Sequence, residues 1–286
     1  MLNRIKNKIL DLKSDAVYRT ALLRHAHNLP FLEERDRIIL DALKQEGIYV
    51  TTLQELDLAA TSGLLHASSE LLPSMGRADD SKPDQRWPEI YTVTDLPNFS
   101  NWGKEKRLLN IIENYIGLPV SYHGVHLRKD FPNEKQFGTS LWHRDSEDRK
   151  ILKIIIYLSD VKEEHGPFEY VPMSLTSASQ LSYYRIQYKL WRARKSYCLG
   201  ISNEVLDQII PRSDWKSCPG PAGTVIFVDT GVLFHHGTLR TQERSAQFFV
   251  YTAKPPKRPE LCTQYWDNTF PKPDLHQESE SIQSSI

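Results

Sequence analysis

The chain has 286 residues, with 36 Lys plus Arg against 36 Asp plus Glu, so its formal net charge is zero while 40% of it is hydrophobic. Disorder needs low hydrophobicity with high net charge, and a nucleic-acid or anionic-membrane partner favours a basic surplus; this composition offers neither. Cys198, Cys218 and Cys262 are odd in number and form no CxxC pair, which argues against a disulfide framework or a cysteine zinc site and fits a reducing cytoplasm. The basic N-terminus interrupts its apolar positions with charges and forms no secretory h-region. Apolar runs such as Ile154-Ile155-Ile156 fall far short of the roughly 18 residues of a membrane span.

In chain order, residues 1–118 predict a mainly helical region packed on a downstream core. Ile5, Ile9 and Leu12 share a helical face. Ile38, Ile39, Ala42 and Leu43 repeat the pattern and stop before Gly47, which suits the left-handed position after a helix. Thr52-Leu53-Gln54-Glu55 has capping-box spacing. The polar residues 77–88 read as a loop. Leu108, Leu109, Ile111, Ile112, Tyr115 and Ile116 outline a further helix, closed by Gly117 and Pro119. From about residue 120 the pattern turns to strands, over 125–129, 152–158, 168–171, 224–228 and 247–252, separated by Gly/Pro turns. Short strands with such turns predict a β-sandwich or barrel over 119–256. A helical insertion near 174–214 carries basic residues interleaved with aromatics, from Ser182 to Lys195. It reads as an amphipathic helix covering the barrel or as a contact for nucleic acid, phosphate groups or an anionic substrate. Residues 257–286 form a tail whose polar end, 276–286, is expected to fray.

The chemistry concentrates at Leu141-Trp142-His143-Arg144-Asp145. On an extended segment residues i and i+2 point to one side, so His143 and Asp145 present an imidazole and a carboxylate together. With a distant histidine these make the two-His, one-carboxylate set of non-haem Fe(II) sites, which leaves coordination positions open. His235, 90 residues beyond Asp145 at the end of an apolar run, is placed to be the third. A kinase catalytic loop also contains His-Arg-Asp, but requires Asn where Lys150 stands, and no glycine-rich loop accompanies it. No HExxH zinc motif is present. Residues 147–150 read as a solvated turn, and Trp142 and Phe234 as wall packing.

From His123 onward the chain resembles the phytanoyl-CoA dioxygenase-like family of Fe(II)/2-oxoglutarate oxygenases. The likeness runs through residues 141–149, Leu152-Lys153, residues 157–161, Gly166-Pro167-Phe168-Glu169-Tyr170-Val171-Pro172-Met173-Ser174, residues 223–230, His235-His236-Gly237-Thr238 and Arg244. It implies a double-stranded β-helix (a cupin-like jelly roll, mainly β with flanking helices) and iron on His143, Asp145 and one of the paired histidines. Members with His-x-Gly after this strand use the first histidine, here His235; His236 is the alternative. Arg244, nine residues after His235, is implied to grip the far carboxylate of 2-oxoglutarate through its planar fork, with Arg240 as the rival. Thr238, Tyr157, Gln136 and Thr139 are candidates for further co-substrate contacts. Fe(II), 2-oxoglutarate and O2, with ascorbate in support, are the implied cofactors and co-substrates, and a small molecule the implied substrate. Related halogenases lack the carboxylate ligand, so Asp145 argues against halogenation; hydroxylation is the leading expectation, with desaturation and ring chemistry as the alternatives. The rival functions are a silent ligand-binding jelly roll and a non-oxidative zinc or manganese metalloenzyme. Neither substrate identity nor oligomeric state is written in these residues.

Overall fold

The computed structural model describes residues 2–76, 86–195 and 200–273. Most of the loop expected over 77–88, Cys198 and the polar end 276–286 lie outside them. The expected jelly roll is the fold. One sheet has six antiparallel strands in the order β1 (Ile48–Thr52), β7 (Thr224–Asp229), β4 (Leu152–Tyr157), β9 (Arg244–Ala253), β3 (Val120–Asp130) and β2 (Glu89–Thr92). A smaller sheet has the order β6 (Lys216–Cys218), β5 (Phe168–Val171) and β8 (Phe234–Gly237).

Strand alternation divides the core in two. Leu152, Ile154 and Ile156 of β4, with Val225 and Phe227 of β7 and Phe249 and Tyr251 of β9, pack outward against helices. These helices are α1 (Leu2–His25), α2 (Glu34–Glu46), α3 (Leu53–Leu56), α4 (Thr61–Leu71), α5 (Pro97–Gly103) and α6 (Lys106–Ile116). Ile155, Tyr157, Ile226 and Val228 face the other way, toward Phe168 of the smaller sheet. The helical signals act as their spacing predicts. Gly47 takes φ +74° after α2 and its N–H donates to Leu43 O; Gly117 closes α6 at φ +82°; and Thr52 Oγ1 accepts from Glu55 N. From α6, Tyr115 donates to the buried Asp229 (2.7 Å), tying the helices to the end of β7.

Two strands arise inside the region read as helical. β1 consists of Ile-Tyr-Val-Thr-Thr, residues that fit a pleated surface, and it adds an outer strand to the large sheet by pairing with β7. β2 pairs with β3 through Glu89↔Lys129 to Thr92↔His126. The helical insertion is α7 (Met173–Thr176), α8 (Leu181–Lys195) and α9 (Asn203–Asp207). Ile186 and Leu190 of α8 are buried in a cluster with Trp142 and Phe234, whereas Tyr184, Tyr188 and Trp191 are exposed. The turn 147–150 departs from the solvated reading. Glu147 and Asp148 are buried, and Asp148 accepts from Ala253 N (3.1 Å) and Lys257 N (3.2 Å), which fastens the loop after Asp145 to the end of β9. Among the described residues no helix is long and apolar enough to cross a membrane.

Candidate metal centre

Backbone pairing sets the spacing of the two histidines. His143 N donates to His235 O and His235 N to His143 O, both at 3.0 Å, so the residues form an antiparallel bridge between the loop after β3 and strand β8. Asp145 N donates to Thr230 O at 3.0 Å, holding the carboxylate residue to the end of β7. The outcome is one cluster: His143, Asp145 and His235 each offer a ligand atom within 4.8 Å of the others.

The ring nitrogens are sorted by the same carbonyl-rich loops. His143 Nδ1 lies 2.7 Å from Leu141 O and His235 Nδ1 lies 3.0 Å from Leu233 O. A carbonyl only accepts, so each Nδ1 carries the proton and each Nε2 keeps its lone pair. Burial lowers the pKa of both rings, that of His235 to about 3, against the raising pull of Asp145. Both are therefore neutral at pH 7, and the 3.7 Å approach of His143 Nε2 to Asp145 Oδ1 is not an ion pair. For Asp145, burial alone would raise the pKa; Lys153, His235 and His143 outweigh it and hold the carboxylate well below its ordinary range. Two neutral imidazoles and one carboxylate, turned into a cavity, match the donor set of a facial-triad iron.

His236 is turned the other way. Its Nε2 lies 2.7 Å from Glu169 Oε2, the residue opposite it in the β5–β8 ladder, and its Nδ1 lies 2.8 Å from Ser140 O. With Trp142 stacked on it at 3.9 Å, both nitrogens are engaged away from His143 and Asp145.

A cavity of ≈230 Å³ contains the cluster, with Arg128, Thr139, Lys153 and Arg244 also in its walls. A second cavity of ≈390 Å³, which includes Trp87, Phe137 and Thr238, shares the walls Ile90, Arg128, Thr139, Gly237 and Phe270 with it. Arg244 begins β9 opposite Asp130, the last residue of β3. Its Nε and Nη2 contact Asp130 Oδ2 at 3.2 and 2.8 Å, and its Nη1 donates to Gly166 O. Asp130 Oδ1 also meets Arg128 Nη2 and Arg240 Nη1, each at 2.7 Å. Three guanidiniums thus converge on one buried carboxylate and leave an excess of positive charge at the cavity wall. Glu243, the partner that adjacency would give Arg244, pairs instead with Lys129 at 3.1 Å.

The remaining sequence candidates separate. Thr139 reaches the cavity, where its Oγ1 accepts from Arg128 Nη2 at 3.3 Å. Thr238 lines the second cavity and donates to Pro167 O at 3.2 Å. Two do not arrive. The Tyr157 hydroxyl bridges Cys218 O (2.9 Å) and Phe168 N (3.0 Å), deep between the sheets. Gln136 bonds Ser140 O and Asn203, behind His236. Sequence reasoning missed Arg128, Asp130 and Lys153. The available signal for Lys153 was a lone charge in the apolar run 151–156.

Residues 59–246 match the sequence model of the family described as phytanoyl-CoA dioxygenase (PhyH). No curated protein matches the chain by sequence. Among solved structures, the non-heme alpha ketoglutarate dependent carbocyclase SnoK from nogalamycin biosynthesis is similar at TM-score 0.53 and 17% identity, over 89% of this chain and 92% of that one. EctD from S. alaskensis with bound Fe is similar at TM-score 0.52 and 17% identity, over 80% of each chain. At such identities the likeness is one of fold.

Proposed function

The chain belongs to the phytanoyl-CoA dioxygenase family, and from that membership we propose an Fe(II)- and 2-oxoglutarate-dependent oxygenase that hydroxylates an unactivated C–H bond of a small organic metabolite. His143, Asp145 and His235 hold the iron. The observation that carries this is the matched pair of imidazoles, each with Nδ1–H on a backbone carbonyl and Nε2 free, beside a carboxylate in one cavity. Bound iron supplies the O2 activation, with oxidative decarboxylation of the ketoacid to succinate and CO2, that no side chain provides.

The chain's own part is orientation. Arg244 grips the far carboxylate of 2-oxoglutarate, and the positive excess around Asp130 attracts it. Thr139 offers a hydroxyl on the same wall. The substrate occupies the adjoining cavity, where Trp87, Phe137 and Phe270 supply apolar contact beside the polar groups of Arg128, Thr139 and Thr238. Cytoplasmic residence belongs to the same reading and is supported by the buried free thiols Cys218 and Cys262.

The test is succinate formation across a metabolite library, with Fe(II), 2-oxoglutarate, ascorbate and O2 supplied. Asp145→Ala is expected to abolish O2-dependent succinate release. Arg244→Ala is expected to keep its iron and raise the 2-oxoglutarate requirement by more than about tenfold, the loss of a charge-assisted contact of roughly 1.5–3 kcal/mol. Turnover without O2 or succinate would instead establish a non-oxidative metalloenzyme. Absence of a visible charge-transfer band on anaerobic mixing with Fe(II) and 2-oxoglutarate would leave a silent binding protein.

A further inference from the structure

β4 directs its odd-numbered residues into the space between the sheets, where Ile155 and Tyr157 are apolar or internally bonded. Lys153 occupies the same face. Its neighbours across the ladder are Val228 and Val250, so no strand partner balances its charge. Its Nζ lies 2.6 Å from Asp145 Oδ2, whereas Asp145 Oδ1 faces His143 Nε2 at 3.7 Å. The two oxygens of one carboxylate therefore address different partners, one the ammonium and the other the histidine cluster.

We propose that Lys153 is a positioning residue of the metal centre: it holds Asp145 Oδ2, leaves Oδ1 as the single oxygen offered to iron, and sets a fixed positive charge beside the metal that favours Fe(II) over Fe(III). This rests on the reading of the same cluster as an iron site. A carboxylate with both oxygens free can chelate and close a coordination position; an ammonium on one oxygen occupies one of its lone pairs and draws its electron density away, which disfavours that second bond. The same ammonium repels a trivalent ion more than a divalent one, and the low-dielectric surroundings weaken that difference little. Glu147, Tyr265, His126, His143 and His235 are the other titratable groups that interact electrostatically with Lys153, and among the described residues Asp145 alone forms an ion pair with the ammonium.

The test is a mediator titration, with dithionite as reductant, of the one-electron Fe(III)/Fe(II) couple in the iron-loaded wild type, Lys153→Arg and Lys153→Met, with Lys153→Gln as a second neutral variant should Lys153→Met fail to fold. In the neutral variant the ratio of ferric to ferrous affinity is expected to rise at least tenfold, a shift of about 59 mV to lower potential. Lys153→Arg is expected to stay within threefold of wild type, which a packing role would not produce. A neutral variant within threefold of wild type overturns the proposal, and so does an equal shift in both variants. Iron stoichiometry separates the two levels of failure. One iron per wild-type chain that is lost in the His143→Ala/His235→Ala double variant upholds the underlying site, whereas a wild type without iron ends that reading and this one together.

Discussion

At Asp130 a carboxylate 1% exposed meets Arg128, Arg240 and Arg244. Burial alone would raise its pKa; the three cations outweigh burial and hold it well below the ordinary value. A depressed carboxylate stabilises the fold fully above the unfolded pKa of about 3.9, and that contribution disappears as pH falls through the folded value. Asp130→Asn is therefore expected to lose about 3–5 kcal/mol at pH 7, because it leaves buried guanidiniums uncompensated. Its urea midpoint should also change less than that of the wild type between pH 5 and pH 3. An equal acid dependence in the two proteins would place the titrating group elsewhere. Legibility at this scale follows sequence distance. His143 and Asp145 share a face because they are two residues apart, a relation written in the chain. Asp130 meets Arg244 only through the register of β3 with β9, 114 positions apart, and a charge on an alternating strand reads by default as solvent-facing. Tyr157 was misplaced for the same reason: a hydroxyl on a β-run gives no sign of whether cavity or backbone receives it.

Among the elements, β3 positions the charged wall, and its course depends on an irregularity at Gly124. The register with β9 shifts between Tyr122 and Gly124, where Gly124 takes φ +135°. A Cβ there would lie 2.2 Å from Thr94 Oγ1, the hydroxyl that accepts from Val125 N. Gly124→Ala is expected to destabilise by roughly 1–3 kcal/mol through overpacking alone, with backbone strain added, seen as a lower denaturant midpoint. Gly223→Ala is the control, since its φ of +89° is strained but open space surrounds the added carbon; if the two variants lose equal stability, crowding against Thr94 is not the cause. β8, which carries His235, was not separated from the apolar run of β7, although β3, β4, β5, β7 and β9 were legible from β-rich runs between Gly/Pro turns. β1 and β2 were not, because four or five residues between helical patterns carry too little periodicity to outweigh their neighbours.

Over the whole molecule, the C-terminal segment closes what the sheets enclose. Pro271 O accepts from Thr92 N at 2.9 Å, Lys272 pairs with Asp95, and Phe270 lies in the wall of both cavities against His126. A chain ended after Thr269 is expected to bind iron as before and to need several-fold more 2-oxoglutarate, measured by calorimetry and succinate release. Parallel losses of iron and co-substrate affinity would mean that the segment supports the barrel itself. The family likeness runs over residues 59–246, so it takes in the later helices of the region read from sequence as helical together with most of both sheets. The His143–His235 backbone bridge carries a consequence for metal choice. Its main-chain spacing is fixed by hydrogen bonds at 3.0 Å, and each ring is pinned through Nδ1 to a backbone carbonyl, so the two Nε2 atoms have little freedom to adapt to different ion radii. Affinity then follows the general order in which Co(II), Ni(II) and Cu(II) exceed Fe(II). If His143, Asp145 and His235 hold the metal, Ni(II) should displace Fe(II) from the purified protein without altering its circular dichroism, as metal analysis after exchange would show.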